Sequence, residues 1–415
     1  MKILWVKAGG LVPPDFGGRI RSYQIAKGLA RSHDVTLYTF YAEQPDDPHQ
    51  ALREVFKRVE CRPLQLPAGR GLSEAALYAR AFFSPRPYSL VKFCKPWIAR
   101  DVRRLLEDDP CDVLVCDFAA AGGVIPWEFP CCKVLFTHNV EAQIWKRHYQ
   151  VASNPVWKTV CWREYRLMAR IERAYLARAD HVLAVSEADR EFFAKIVPAA
   201  KITVIPTGVD VDYFHASDTP ENPSELVFTG AMDWLPNEDG IFYFAEQILP
   251  RIRCEFPDAL LTVVGRRPAP RLHELAARTP GLRITGQVED IRPYVRRAAV
   301  YVVPLRVGGG TRLKIFEAMA MGKAVVSTSI GAEGLDVCSG KDIMLADTPA
   351  RFAEAVVRLL RNERQRRQIG EAAACKARQY DWPAIVERFS QVLSRTIESR
   401  SIAGEPAHAA SPASL

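Results

Sequence analysis

VYVVPLRVGGGTRLKIFEAMAMGKAVVST, residues 300–328, runs from an apolar strand-like segment through a glycine loop and a short helical stretch into a second apolar segment. Strand, loop, helix and strand in that order make the repeating unit of a parallel α/β sheet. The loop carries chemistry as well as direction. Glycines at 308, 309 and 310 let backbone N–H groups turn toward one anion, and a helix starting at about Thr311 adds the positive end of its dipole. Arg312 and Lys314 supply full positive charges, a combination that suits phosphate. Glu317, one and a half turns into the helix, is placed to accept hydrogen bonds from neutral hydroxyls such as those of a ribose. The stretch therefore predicts a site for a nucleotide with a leaving diphosphate. Its plain alternative is a connecting loop capped by Thr311, with both cations in water.

The rest of the chain repeats the same rhythm. Residues 2–6 form an apolar run, a loop of glycines and prolines follows, residues 19–30 are amphipathic, and residues 34–40 alternate like a strand. Strand-like runs return at 113–116, 133–136, 181–185 and 202–205, with helical segments between them, which predicts a parallel sheet covered on both faces. A second set, at 226–229, 260–264, 282–284, 300–303 and 324–327, predicts a second α/β unit. At 415 residues the chain exceeds what one core usually supports. The expected division is a domain over 1–208, a linker over 209–224 rich in Asp, Pro, Asn and Ser, a domain over 225–380, a last helix over 381–400, and a disordered tail rich in Ala, Pro and Ser over 401–415.

Composition narrows the partners. The formal net charge of +8 is moderate, but residues 142–178 hold eight Lys/Arg against two Glu, interleaved with Trp145, Tyr149, Trp157, Trp162, Tyr165 and Tyr175. A basic, aromatic-bearing helix suits an anionic membrane surface, and a solvated helix face is the plain alternative. No nucleic-acid-binding module accompanies the charge, so nucleic acid is not an expected partner. The ten cysteines have no C-x-x-C pair or regular framework, as expected of reduced thiols in a cytoplasmic protein. The apolar run at the start is too short for a signal peptide or a spanning helix. The eight histidines lack ligand spacing, so no metal site is expected.

In open α/β sheets ligands sit beyond the carboxyl ends of the strands, so the loops there are the candidates. Gly17 and Gly18 precede a helix expected to start near Ile20, where backbone can approach a phosphate or an acceptor. His138 follows the strand 133–136 in THNVE, beside Asn139 and Glu141, placed to hydrogen-bond a sugar hydroxyl or a phosphate oxygen. Asp239, in GAMDWLPNEDG, reads as a cap for the helix after it. TGQVED, residues 285–290, follows another strand, where backbone groups can meet the edge of a nucleobase.

On these residues the chain resembles a known family. THNVE at 137–141, VIPTGVD at 204–210, FTGAMDWLPNED at 228–239 and the stretch 308–328 are similar, in order and spacing over nearly the whole chain, to the motif series of retaining glycosyltransferases of family 4 with the GT-B fold. The G-x-G-T-R-x-K-x-x-E run resembles bacterial sugar transferases of exopolysaccharide or exosortase loci. The resemblance implies two Rossmann-like domains facing across a cleft, with the last helix crossing back to the first. It implies metal-independent hexosyl transfer from a nucleoside-diphosphate sugar, held by the second domain, to a saccharide or lipid-linked saccharide held by the first. No cofactor is implied, and the setting is cytoplasmic, at the inner face of the membrane. Residue by residue, Arg312 and Lys314 meet the diphosphate with the backbone of Gly309, Gly310 and Thr311, Glu317 meets the ribose, His138 the transferring sugar, and Gly17 and Gly18 the phosphates or acceptor.

Two departures stand out. The family's usual glutamate pair is reduced to Glu317, with Gly309 at the first position. Its basic pair after the first strand of the second domain is absent, with Asn237 where a lysine is expected. Loss of the first glutamate is also what a nucleotide-sugar binding protein without catalysis would show.

Overall fold

The computed structural model describes residues 1–14, 17–42, 50–66, 72–152, 154–307 and 313–403. The chain divides into two units, Met1–Pro206 with Ile385–Leu415, and Thr207–Ala384.

In the first unit, β1 (Lys2–Ala8), β2 (Asp34–Ala42), β3 (Arg58–Leu64), β4 (Val113–Asp117), β5 (Cys132–Phe136), β6 (His181–Ala184) and β7 (Ile202–Val204) form one sheet in the order β3-β2-β1-β4-β5-β6-β7. Every pair is parallel. The central strands β4 and β5 are buried along their whole length, as continuous apolar runs covered on both faces should be. The edge strand β3, RVECRPL, is the one that the apolar pattern misses. Its charges and proline suit an exposed edge, where they discourage pairing with another chain.

The second unit repeats the plan. Strands β8 (Asn222–Thr229), β9 (Leu260–Val264), β10 (Leu282–Gly286), β11 (Ala298–Val303), β12 (Ala324–Ser327) and β13 (Met344–Leu345) take the order β10-β9-β8-β11-β12-β13, again all parallel. Strand order reverses between β1 and β4 in the first unit and between β8 and β11 in the second. A crevice opens at the carboxyl end of such a reversal.

The last helix, Trp382–Ala403, begins in the second unit and continues in the first. In the second unit the Trp382 ring lies over Gly208, where an added Cβ would come within 2.5 Å of it. In the first unit Phe389 stacks on Trp5 at 5.7 Å between centroids and meets Phe136 edge-on at 5.2 Å. Val386 packs where Gly28 leaves room, since a Cβ at residue 28 would fall 2.4 Å from its methyl group. Arg400 closes the helix's polar side with two bonds to Asp180, at 2.8 and 2.7 Å.

Phe389 is fully buried among aromatic rings, so truncation leaves a cavity that those rings cannot fill. Phe389→Ala is expected to destabilise the first unit by roughly 3–5 kcal/mol. Urea unfolding followed by Trp5 fluorescence checks this, and a loss below about 1 kcal/mol would count against the packing described.

Candidate active site

At the reversal in the first unit, two apolar strands each end in a charge. Lys7 is next to last in β1 and Asp117 closes β4, and both side chains are almost fully buried with Lys7 Nζ 3.4 Å from Asp117 Oδ2. Trp5 Nε1 donates to Asp117 Oδ2 at 2.9 Å, and Lys7 Nζ donates to Ser22 Oγ at 3.0 Å. Ser22 in turn donates to the carbonyl of Gly18 at 2.9 Å. Burial works against the Asp117 carboxylate, but Lys7, His138 and Ser22 hold its pKa well below the usual range. Burial likewise lowers the Lys7 ammonium, against the pull of Asp117, and the two remain an ion pair.

His138 lies inside this network. Its Nε2 is 2.8 Å from Asp117 Oδ1, its Nδ1 is 3.5 Å from Arg21 Nη1, and its ring stacks on Phe118 at 3.8 Å and 8°. With Asp117 ionised, Nε2 carries the ring proton. Burial pushes the His138 pKa down to about 3, although Asp117 opposes the shift, so the ring is neutral at physiological pH. Arg21 donates to Thr137 O at 2.7 Å and to Ile205 O, tying together the loops after β5 and β7. Its pKa falls to about 9 through burial, which leaves it charged. Gly17 and Gly18 are the first two residues of the helix Gly17–Leu29, ahead of the expected start at Ile20.

At the reversal in the second unit, Lys314 and Glu317 share the helix Leu313–Ala320. Lys314 Nζ donates to Asn237 Oδ1 at 2.9 Å and stands 4.0 Å from the centre of the Phe228 ring. Asn237 Nδ2 donates to Ala231 O at 2.7 Å, so the residue that replaces an expected lysine fixes the lysine that remains. Gly230 makes this geometry possible, because a Cβ there would lie 2.6 Å from Lys314 Nζ and 2.7 Å from Asn237 Nδ2. Glu317 is half-buried, and burial raises its pKa to about 7 against the lowering effect of Lys314. Gly309, Gly310, Thr311 and Arg312 lie outside the described residues.

Two expectations change. Asp239 does not cap the helix Leu235–Tyr243: Trp234 holds the capping position, while Asp239 lies within the helix and pairs with Arg306 at 2.6 Å. The proline inside the first turn moves the start of the helix upstream of Asp239. The aromatic residues of segment 142–178 also divide. Tyr175 is buried against Gly122 and Trp145 is half-buried, whereas Trp157 and Trp162 are exposed. Lys7, Arg21, Ser22 and Asp117 were not picked out by motif. A charge that ends a buried apolar strand, as in KILWVK and VLVCD, is the signal that finds Lys7 and Asp117.

This geometry meets two family models, Glycosyltransferase Family 4 over residues 17–213 and Glycosyl transferases group 1 over residues 223–362. The chain belongs to the family 4 glycosyltransferases. Among its relatives is a phosphatidyl-myo-inositol mannosyltransferase of Mycobacterium tuberculosis, 30% identical over 201 residues, which are 45% of this chain and 52% of that protein. The chain thus spans about half the length of that relative. An uncharacterized protein in the cps region of Klebsiella pneumoniae is 22% identical over 87% of this chain and 91% of its own. The same fold occurs in sucrose-phosphate synthase from Thermosynechococcus elongatus, with a TM-score of 0.71, 19% identity and coverage of 96% of this chain and 99% of that one. Anabaena HepE in complex with UDP gives a TM-score of 0.68 at 17% identity, over 95% of this chain and all of its own.

Removing one partner of a buried ion pair leaves the other charge unpaired. Asp117→Asn is expected to cost roughly 3–5 kcal/mol, measured by urea unfolding at pH 7. The sign with pH follows from the depressed folded pKa. The Asp117 contribution is present above the unfolded value of about 4 and is lost as pH falls below it, so wild type and variant should converge in acid.

Proposed function

We propose that the chain transfers a hexosyl group from a nucleoside-diphosphate sugar to a hydroxyl of a saccharide or lipid-linked saccharide, with retention at the anomeric carbon. The observation that carries this reading is the Lys314–Asn237 contact with Glu317 one turn further along the same helix, at the strand reversal of the second unit. An ammonium oriented by an amide suits a phosphate, and a half-buried carboxylate next to it suits ribose hydroxyls. HepE has been solved in complex with UDP and with UDP-glucose, which supports a uridine nucleotide as the first donor to test. The mannosyltransferase relative, named for a phosphatidyl-inositol acceptor, supports a lipid-linked one.

In the reaction the bond from the anomeric carbon to the donor phosphate breaks while the acceptor oxygen bonds that carbon from the same face. The acceptor proton passes to the departing phosphate oxygen. Negative charge grows on the leaving diphosphate, where Arg312, Lys314 and the backbone N–H groups of Gly309, Gly310 and Thr311 would stabilise it. These groups meet the charge that a divalent cation would otherwise meet, so the reading needs no metal ion. The family resemblance gives His138 the transferring sugar, a role in which its neutral ring would not move a proton. Gly17 and Gly18 would offer the start of their own helix to a phosphate or the acceptor.

The long helix Pro155–Arg178 adds a membrane contact to this reading. Val156, Trp157 and Trp162 are exposed on it, with Lys158 and Arg166 also in solvent, and Phe83 is 89% exposed on a neighbouring segment. Arg163 on the same helix lies 5.1 Å from the Phe82 ring and donates to Ala81 O at 2.8 Å, so the two aromatic groups are neighbours. Aromatic side chains among cations match the headgroup level of an anionic bilayer, on the cytoplasmic side for a lipid-linked acceptor. No helix among the described residues is long and apolar enough to cross a membrane.

Three measurements test these points. Thermal shift with UDP, GDP, ADP and CMP, with and without magnesium, should give an upward shift with one nucleotide in either condition, since ligand at 100 times its Kd adds about 2.7 kcal/mol. Lys314→Ala and Arg312→Ala should each lower sugar transfer by about a hundredfold. Binding without transfer by the wild type would instead select the non-catalytic binding protein that Gly309 suggests, and near-normal rates in both variants would overturn the donor site. Sedimentation with vesicles containing anionic lipid should capture the wild type at low salt and lose most of it in Trp157→Ala/Trp162→Ala. Equal capture of both refutes the membrane surface.

A further inference from the structure

The end of the first sheet away from Lys7, Asp117 and His138 carries an open cleft of about 940 Å³, within the size range of small-molecule sites. Three neighbouring strands contribute to it, through Lys133 near the start of β5, His181 at the start of β6 and Thr203 in β7. The carboxyl end of the helix Pro155–Arg178 and the later half of the last helix complete the lining, with Arg178 from the one and Arg395 and Arg400 from the other.

The charges of this lining do not cancel. Five Lys/Arg stand against two acids, and both acids are already engaged. Asp180 accepts from Arg400 Nη1 at 2.8 and 2.7 Å and from the backbone N–H of Lys133 at 2.7 Å. Glu128 pairs with Arg103, which lies outside the cleft. Among the described residues Arg178 and Arg395 have neither a hydrogen-bond nor an ion-pair partner, and Lys201 Nζ donates to the Ala177 carbonyl alone, at 3.3 Å. Lys133 adds a charge from below. It is 2% exposed, and its Nζ donates to Cys131 O at 2.8 Å and to Phe129 O, with no carboxylate within ion-pair distance among the described residues. Two carbonyls satisfy two of its three N–H groups but do not neutralise it. A charge held out of water without a counter-ion costs folding free energy, which an anion in the cleft offsets in part.

The neutral groups fit the same kind of ligand. His181 Nε2 lies 2.8 Å from Thr203 Oγ1, and burial, followed by the charge of Lys201, lowers the ring's pKa, so the imidazole is neutral at physiological pH and suits a hydroxyl. Trp127, half-buried and stacked on Tyr175 at 5.3 Å, gives the lining a flat apolar surface. Three cations without carboxylate partners suit a doubly charged anion better than a single carboxylate, and arginine can meet a phosphate with two parallel N–H groups. We propose that this cleft binds the phosphate group of a small phosphorylated molecule, with Arg178, Lys201 and Arg395 as its cations, as a site separate from the donor site of the second unit. The proposal stands without the transferase reading. Arg395 belongs to the last helix and Arg178 and Lys201 to the body that it packs on, so a bound phosphate fastens that helix in place.

Isothermal titration calorimetry at 150 mM NaCl, in a buffer free of phosphate, tests the site with inorganic phosphate, pyrophosphate, glucose 1-phosphate and glucose 6-phosphate as probes. At least one should bind the wild type, and bind Arg178→Ala/Arg395→Ala at least tenfold more weakly, the scale of lost hydrogen bonds to charged groups. Both side chains are exposed, so without a probe this variant should melt close to the wild type. Arg395→Glu, a second variant, should weaken the same binding by reversing one charge. Lys314→Ala should leave it unchanged. Absence of binding by the wild type overturns the proposal, as does binding that survives in both cleft variants or is lost in Lys314→Ala. Vesicles of phosphatidylcholine with phosphatidic acid form the last arm: capture that depends on Arg178 and Arg395, with no soluble probe bound, places the phosphate on a lipid and overturns the small-molecule site.

Discussion

The buried pair of Lys7 and Asp117 is the constraint on which the first unit turns. Two adjacent strands bring opposite charges to the same end of the sheet, where neither can reach bulk water, so each needs the other and the polar groups around them. Trp5, Ser22 and His138 are thereby fixed, and with them the start of the helix Gly17–Leu29 and the stacking of Phe118 on His138. The crevice at the strand reversal is set before any ligand arrives. Preorganised polar groups of this kind are what transfer chemistry requires, because they need not reorganise as charge moves.

The second unit reaches a similar result by different means. Its cation is oriented by an amide, and the close approach depends on glycine. Besides Gly230, Gly265 has no room for a side chain, since a Cβ there would come 1.7 Å from the Gly230 carbonyl oxygen. In each unit burial raises the pKa of a carboxyl to about 7, Glu141 in the first and Glu317 in the second. Both lie on helices that follow a strand.

Much of this was legible in the sequence, for identifiable reasons. Parallel strands buried on both faces are continuous apolar runs, so the central strands of both sheets stand out, whereas β3 and β13 lie at sheet edges and lack that signal. Lys314, Glu317 and His138 lie in short motifs whose spacing marks them as candidates. Asp117, Lys7 and Arg21 were not, because their partners lie far along the chain: Asp117 meets Trp5 across 112 residues, and Arg21 meets Thr137 across 116. Such pairs carry no local spacing. Asp239 was misread because proline in the first turn placed the start of the helix before it, which freed the carboxylate for Arg306.

The return of the last helix has a consequence for the order in which the protein can form. Phe389 completes the aromatic cluster around Trp5 and Phe136, yet it is separated from them by the whole of the second unit, Thr207–Ala384. During synthesis from the amino terminus, the second unit leaves the ribosome with all of its strands before the first has its closing helix. The second unit can therefore finish first, while the first waits with an apolar groove along Trp5 and Gly28 open to whatever binds nascent chains.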